Sequence, residues 1–378
     1  MWLKAASETG FVTKENTVRF EKKLRRSALL RTGAVALALA GLTGFSGTAA
    51  KAQTIVPLVE SGSSLLYPLF NLWVTDYAVT APNTQITTTS TGSGAGIAQA
   101  IKGLIQIGAS DAYLSDALAA KNPTMLSIPV AISAQAINYN LPGLNDKNIK
   151  LSGPILAGIF SGTITKWNDP QIAAANPGVA LPANTIVPIH RLDGSGDTFI
   201  FSQYLSASTP GWKSSVGFGT TLSWPAIAGE IGAKGNAGML AAAAANPYSV
   251  AYIGVSYASK VAAAGLGTAA LENASGAYLL PTKETIGAAA DSVVSSTPAD
   301  ERISMIFAPG ANAYPIVNYE YVIVNSTQPS GAVSAAIRDF LTWAVTEGNN
   351  ARYLDQVHFL PLPAPILALT QAQIAKIQ

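Results

Sequence analysis

The chain has no cysteine and only two histidines, His190 and His358, in 378 residues. Without thiols there can be neither disulfides nor thiolate metal sites. Two histidines so far apart argue against a histidine-based centre, so no metal and no cofactor are expected. Charge is also scarce. Asp, Glu, Lys and Arg make up 12% of residues against 49% hydrophobic ones, a balance that disfavours disorder and permits a large core. Beyond residue 50 no apolar run reaches the 18 residues a membrane-spanning helix needs. No GxxxxGK[ST] occurs. Neither Ser93 nor Ser195 sits in GxSxG, because Thr91 and Asp193 stand at the first glycine position. His190 lies five residues before Ser195, but a catalytic triad is a matter of geometry, so hydrolysis is kept only as a rival reading.

The N-terminus has the pattern of an export signal. Lys22, Lys23, Arg25, Arg26 and Arg31 precede the apolar stretch TGAVALALAGLTGF (32–45), and Ala50-Lys51-Ala52 supplies a small-x-small cleavage pattern. A signal peptide over 1–52, cut after Ala52, is expected. That segment holds nine of the 23 basic residues and three of the 21 acidic ones, so the remainder keeps 14 and 18. Its net charge is then near −4 rather than +2, which leaves no electrostatic basis for nucleic-acid binding.

What is present is a repeated unit. TIVPLVE (54–60) leads into SGSS, then Leu66, Leu69, Phe70, Trp73 and Tyr77 recur at helical spacing. TQITTT (84–89) leads into STGSGAG, then Ile97, Ile101 and Leu104. LIQIGASD (104–111) is a further strand with a polar end, and NTIVPIH (184–190) leads into another Gly/Ser/Asp turn. SGPILAGIFSGTITKWNDPQIAAANPG (152–178) suggests two short helices, and SAAIRDFLTWAVTEGNN (334–350) one helix stopped by Gly348-Asn349. Strands that feed helices through short polar turns imply an α/β fold with mainly parallel sheets, in which ligands bind beyond the carboxyl ends of the strands. Each turn would expose the N–H groups of a helix N-terminus, a natural anion site. The length suggests two domains.

One turn is unusual. HRLDGSGDTF (190–199) combines an arginine suited to an anion with two aspartates that would repel one. In order, SGSSLLYPLFNLW, TGSGAGIAQAIKGLIQIGASDAYLSD, ILAGIFSGTITKWNDPQIAAANPG, IHRLDGSGDTFIFSQYLS, GAKGNAG and VAYIGVSYA resemble the blocks of the periplasmic phosphate-binding proteins that serve high-affinity phosphate ABC transporters. The resemblance covers nearly all of the chain after residue 52.

It implies a periplasmic binding protein fold, with two α/β domains, a ligand cleft between them and two crossover strands. IPVAISAQAINYN (128–140) and YPIVNYEYVIVN (314–325) would be the crossovers. Domain I would then combine 53–129 with 317–378, and domain II would span 130–316. The resemblance further implies that Ser63, Ser64 and Leu65 form a first phosphate loop, Ser93 a second, and Asp111 an acceptor. Arg191, Ser195, Gly196 and Asp197 would complete the site, while Asp193 would brace the turn or Arg191 rather than touch the anion. Asp197 stands where many members have threonine. Phosphate near neutral pH still carries a proton, so a carboxylate such as Asp111 would select a protonated anion. The implied protein is not an enzyme. It would be a monomer, freely diffusing in the periplasm, that delivers phosphate to the permease subunits of an inner-membrane ABC transporter. A secreted phosphatase, or a scaffold that has lost affinity, are the rival readings.

Overall fold

The computed structural model describes residues 55–378, so the expected signal over 1–52 lies outside the described residues. The first half is built from the repeated unit. Strand β1 (Val56–Gly62) leads to helix α1 (Tyr67–Thr80), β2 (Thr84–Ser90) to α2 (Ser93–Ile101), and β3 (Ile107–Ser110) to the short α3 (Asp116–Lys121). The stripe predicted for α1 is buried, and Phe70, Trp73 and Tyr77 pack on Phe340 with ring centroids 5.9, 6.5 and 5.1 Å away. The stripe predicted for α2 holds only in part. Gly103 takes a left-handed φ of +67°, and Leu104 N–H returns to the Gln99 carbonyl, so the helix is capped and Leu104 is left 67% exposed.

Strand β4 (Met125–Tyr139) is followed by β5 (Lys150–Leu151), α4 (Gly153–Ser161) and α5 (Pro170–Ala175), the two helices expected between 152 and 178. Asp169 caps α5 by accepting from Gln171 N–H at 2.9 Å, with Pro170 in the first turn. Then come β6 (Val187–Arg191), α6 (Gly196–Ser208), α7 (Pro210–Ser215), β7 (Ile231–Ala233), α8 (Gly235–Ala245), β8 (Ser249–Gly254), α9 (Ala258–Ala263), β9 (Gly267–Thr268), β10 (Ala270–Glu272), β11 (Tyr278–Leu279) and α10 (Lys283–Asp291). The chain closes with β12 (Val317–Asn325), α11 (Gly331–Val345), α12 (Ala351–Leu354) and α13 (Ala364–Ile374). Helix α11 stops at Val345, before the expected Gly348. Gly348 serves a different contact: its carbonyl accepts from Trp73 Nε1 at 2.8 Å, and a β-carbon there would lie 2.8 Å from that nitrogen.

The main sheet runs β2-β1-β3-β12-β4-β8-β6-β7, with β9 also pairing β4. Its outer groups are parallel as expected: β1 with β2 and β3, and β6 with β7 and β8. The two long central strands add antiparallel pairs. The fifteen residues of β4 change partners partway along. Met125 to Ala134 pair with β12, and Gln135 to Tyr139 pair with β8. Because strands in each group end toward the same region, their polar turns converge.

Candidate anion-binding site

Backbone conformation places the first three turns. Gly62 has φ +149° and lies against the Ala109 backbone, where no β-carbon would fit. The chain therefore leaves β1 tightly, and Ser63 N–H donates to Ala109 O at 2.9 Å. Ser63 Oγ donates to Asp111 Oδ1 and accepts from the N–H groups of Leu65 and Leu66, each at 3.0 Å. The Leu65 N–H expected to face an anion is thus engaged by Ser63, while the Leu65 side chain is fully buried against Gly254. Ser93, the first residue of α2, donates to Asp111 Oδ2 at 3.3 Å and accepts from Asp111 N–H at 3.2 Å.

The second group of turns brings the cation. Arg191 ends β6, and its guanidinium is buried. Nε donates to Asp193 Oδ1 at 2.7 Å, Nη2 to Asp193 Oδ2, and Nη1 to Asp197 Oδ2 at 2.5 Å. Three of its five N–H donors are used, leaving one on each terminal nitrogen. Burial opposes the charge, but Asp193 and Asp197 outweigh it and raise the Arg191 pKa, so the cation persists. Of the two roles open to Asp193, the turn or Arg191, it takes the bracing of Arg191. Although burial opposes its ionisation, Arg191 and the Gly235 N–H hold its carboxyl below the usual range.

Ser195 caps α6, accepting from Thr198 N–H at 3.2 Å, so the N–H groups of Gly196 and Asp197 have no helical partner. Gly196 is an approach no other residue could make. A β-carbon there would lie 2.4 Å from Asp111 Oδ2 and 2.5 Å from Ser93 Oγ. The Asp197 carboxylate faces Arg191, Gln135 Nε2 at 3.1 Å and Asn236 Nδ2 at 2.8 Å; burial raises its pKa against the pull of Arg191.

Eight of the nine residues singled out in the sequence therefore converge, and Leu65 is the exception, its N–H bound to Ser63 and its side chain packed against Gly254. Ser64 joins through Asn236, whose N–H and Nδ2 both reach Ser64 Oγ at 3.0 Å. Gly94 N–H donates to Gly194 O at 2.9 Å, tying the α2 turn to the α6 turn. A recess of about 450 Å³, lined in part by Ser64, Thr91, Asp193, Lys234 and Asn236, opens beside the cluster.

Burial raises the Asp111 carboxyl to about 7, helped by the Asp197 charge; Ser63, Glu320 and Arg191 pull the other way. Glu320 on β12 is also buried, and burial followed by the Asp111 charge pushes its carboxyl well above the usual range. Glu320, Asn236 and Gln135 escaped the sequence reading. Their signal was a polar side chain inside an apolar strand, as in VNYEYVIV and ISAQAI, or inside a quoted block left unassigned, as in GAKGNAG.

His190 does not meet Ser195. Its Nδ1 lies 3.2 Å from Arg191 O, its Nε2 3.9 Å from Glu230, and its ring packs on Trp224. Among the described residues no grouping of three or more His, Asp or Glu side chains is placed to hold a metal.

Such a cluster can satisfy the charged oxygens of a small tetrahedral anion with Arg191 and helix-end N–H groups, and accept a proton-bearing oxygen at Asp111. The PBP superfamily domain matches residues 47–347. The chain is 39% identical over 300 residues to phosphate-binding protein PstS of Methanocaldococcus jannaschii, covering 75% of this chain and 76% of that protein. It is 35% identical over 317 residues to PstS of Xylella fastidiosa, covering 84% of each. The solved phosphate-binding protein from Stenotrophomonas maltophilia shares the fold at a TM-score of 0.65 and 19% identity, over 84% of this chain and 93% of that one. With this architecture and these relatives, the chain belongs to the PBP superfamily and, within it, to the family of PstS phosphate-binding proteins.

Proposed function

We propose that this protein binds inorganic phosphate at the Arg191–Asp111 cluster and delivers it to the permease subunits of an inner-membrane ABC transporter. The observation that carries the reading is a buried guanidinium, two of its donors unspent, in one cluster with the buried Asp111 carboxyl that feels its charge. Phosphate is the tetrahedral anion that needs both, since it brings negative charge and a P–O–H. Ser64 and Ser195 supply hydroxyls and the backbone N–H groups of Gly196 and Asp197 complete the shell, while Ser63 and Ser93 donate to Asp111 and hold that acceptor, and the Leu65 N–H stays with Ser63. The names of the PstS relatives support the same ligand.

We further assign domain I to 53–129 with 317–378 and domain II to 130–316. The change of partners along β4, between Ala134 and Gln135, supports a hinge there. Export through a signal over 1–52 and a monomeric, freely diffusing periplasmic form complete the proposal. Among the described residues, no helix is long and apolar enough to cross a membrane.

Calorimetric titration with phosphate and sulfate tests the reading, together with identification of the ligand carried by protein purified without added phosphate. Tight phosphate binding without sulfate binding is expected. Absence of phosphate binding overturns the proposal in favour of a scaffold. Release of phosphate from a chromogenic ester overturns it in favour of a phosphatase, against which the separation of His190 from Ser195 speaks.

A further inference from the structure

Strand register carries an inference beyond the phosphate shell. In the antiparallel pair of β3 and β12, Ile323 faces Gly108, Val322 faces Ala109 and Tyr321 faces Ser110. One further step sets Glu320 opposite Asp111, where cross-strand neighbours share a face. Glu320 is fully buried, and its two oxygens differ. Oε1 accepts from Ser133 Oγ at 2.5 Å and Asn318 Nδ2 at 3.1 Å. Oε2 has no donor among the described residues. Its neighbour across the strands is Asp111, and Asn318 joins the two residues, its Nδ2 donating to Glu320 Oε1 and to the Asp111 carbonyl at 3.3 Å. Two carboxyls can bond only through a shared proton, because ionised carboxylates offer acceptors alone.

The surroundings decide which residue holds that proton. Asp111 already receives Ser63 on Oδ1 and Ser93 on Oδ2, and it faces the Arg191 charge from β6. Asp197, at the start of α6, opposes its ionisation. Glu320 faces no cation. Its undonated Oε2 is the oxygen at which a bare charge would cost most.

We propose that Glu320 is a selectivity-positioning residue: it keeps a proton on Oε2, donates it in a hydrogen bond to Asp111, and so holds Asp111 as an ionised acceptor aimed at the protonated oxygen of the anion. The proposal rests on the phosphate reading above. An ionised Asp111 excludes sulfate, which has no proton to give near neutral pH. A protonated Asp111 is a donor and admits it. Glu320 therefore sets the pH below which discrimination fails.

The test is competition of sulfate against phosphate, followed by calorimetry from pH 5.5 to 8.5 on the whole protein. In wild type, sulfate competes only on the acid side of the Asp111 transition. In Glu320→Leu the onset moves toward higher pH by about one unit or more, the scale of one hydrogen bond to a charged group. Glu320→Gln, whose amide can donate in place of the acid, restores the onset toward the wild-type pH. An unmoved onset in Glu320→Leu overturns the proposal and makes Glu320 a packing residue. Failure of wild type to bind phosphate at any pH overturns the functional reading instead.

Should Glu320→Leu not fold, infrared difference spectroscopy decides the matter. Wild type at neutral pH should show a protonated-carboxyl carbonyl band that Glu320→Gln lacks. Identical spectra in that region overturn the proposal.

Discussion

The turns after β1, β2 and β3 and the turn after β6 meet at one site but divide its chemistry. The first group supplies Ser63, Ser93 and Asp111, with Glu320 behind them, and no cation among these residues. The second supplies Arg191, held by two carboxylates, and the N-terminus of α6. One side recognises a proton and the other recognises charge. Affinity and selectivity should therefore be separable by substitution, since each depends on a different segment of chain.

Removing the cation should break the comparison most severely. Arg191→Ala strips the charged contact and leaves Asp193 and Asp197 buried beside it, a loss of about 2–5 kcal/mol in phosphate binding. That is at least about thirtyfold in Kd by calorimetry. An affinity within twofold of wild type would remove Arg191 from the site.

The proton side should respond in selectivity rather than affinity. A site built to accept a substrate O–H can reject an analogue lacking it by roughly 10⁴-fold. Asp111→Asn should retain much of its phosphate binding and gain measurable sulfate binding, because the amide can turn to donate. With the Asp111 carboxyl raised to about 7, the wild type carries a proton there increasingly as pH falls below 7. Wild-type sulfate rejection should therefore weaken at pH 5.5, whereas Asp111→Asn should show no such dependence. Should wild type bind sulfate as well as phosphate at pH 8, proton recognition is not what Asp111 does.

A stability effect away from the ligand sharpens the contrast. Glu60, on β1, is fully buried, accepts from Thr88 Oγ1, and is raised from 4.5 to about 8 by burial. Between those values the folded chain holds a proton that the unfolded chain has released. Stability present below pH 4.5 is thus lost as pH rises toward 8. Glu60→Gln should flatten this decline, so its Tm should fall by several degrees less than wild type between pH 5 and pH 8. Superimposable Tm profiles would mean that Glu60 titrates normally.

The smallest effect is expected from Ser93→Ala. It removes one neutral donor at 3.3 Å from Asp111, a loss of about 1 kcal/mol, or several-fold in phosphate Kd. A loss as large as that of Arg191→Ala would show that the hydroxyl groups, not the guanidinium, dominate binding.

Much of this was legible locally. The β–turn–helix units, the buried α1 stripe and a bracing role for Asp193 all follow from neighbours within a few residues. The misjudged details have local causes of their own. Leu104 left the α2 stripe because Gly103 capped the helix first, and Gly348 proved to be a seat for Trp73 rather than a helix stop. The two central strands were expected from the resemblance alone, and their antiparallel pairing was not read from the sequence. Alternating apolar residues identify a buried strand without fixing the direction of its neighbours.

Sequence alone determined the chemical inventory: no thiols, almost no imidazole, one arginine among aspartates, and helix-starting turns rich in glycine and serine. These properties belong to single residues or short windows, where composition and 3.6- or 2-residue periodicity act. Tertiary structure alone decided that Glu320 stands opposite Asp111, that Asn236 joins Ser64 to Asp197, and that Gly196 abuts the Asp111 carboxyl. Those contacts join residues 39 to 209 positions apart. They are set by strand register and by the closing of the two groups of turns on each other, and no local window of the chain contains either.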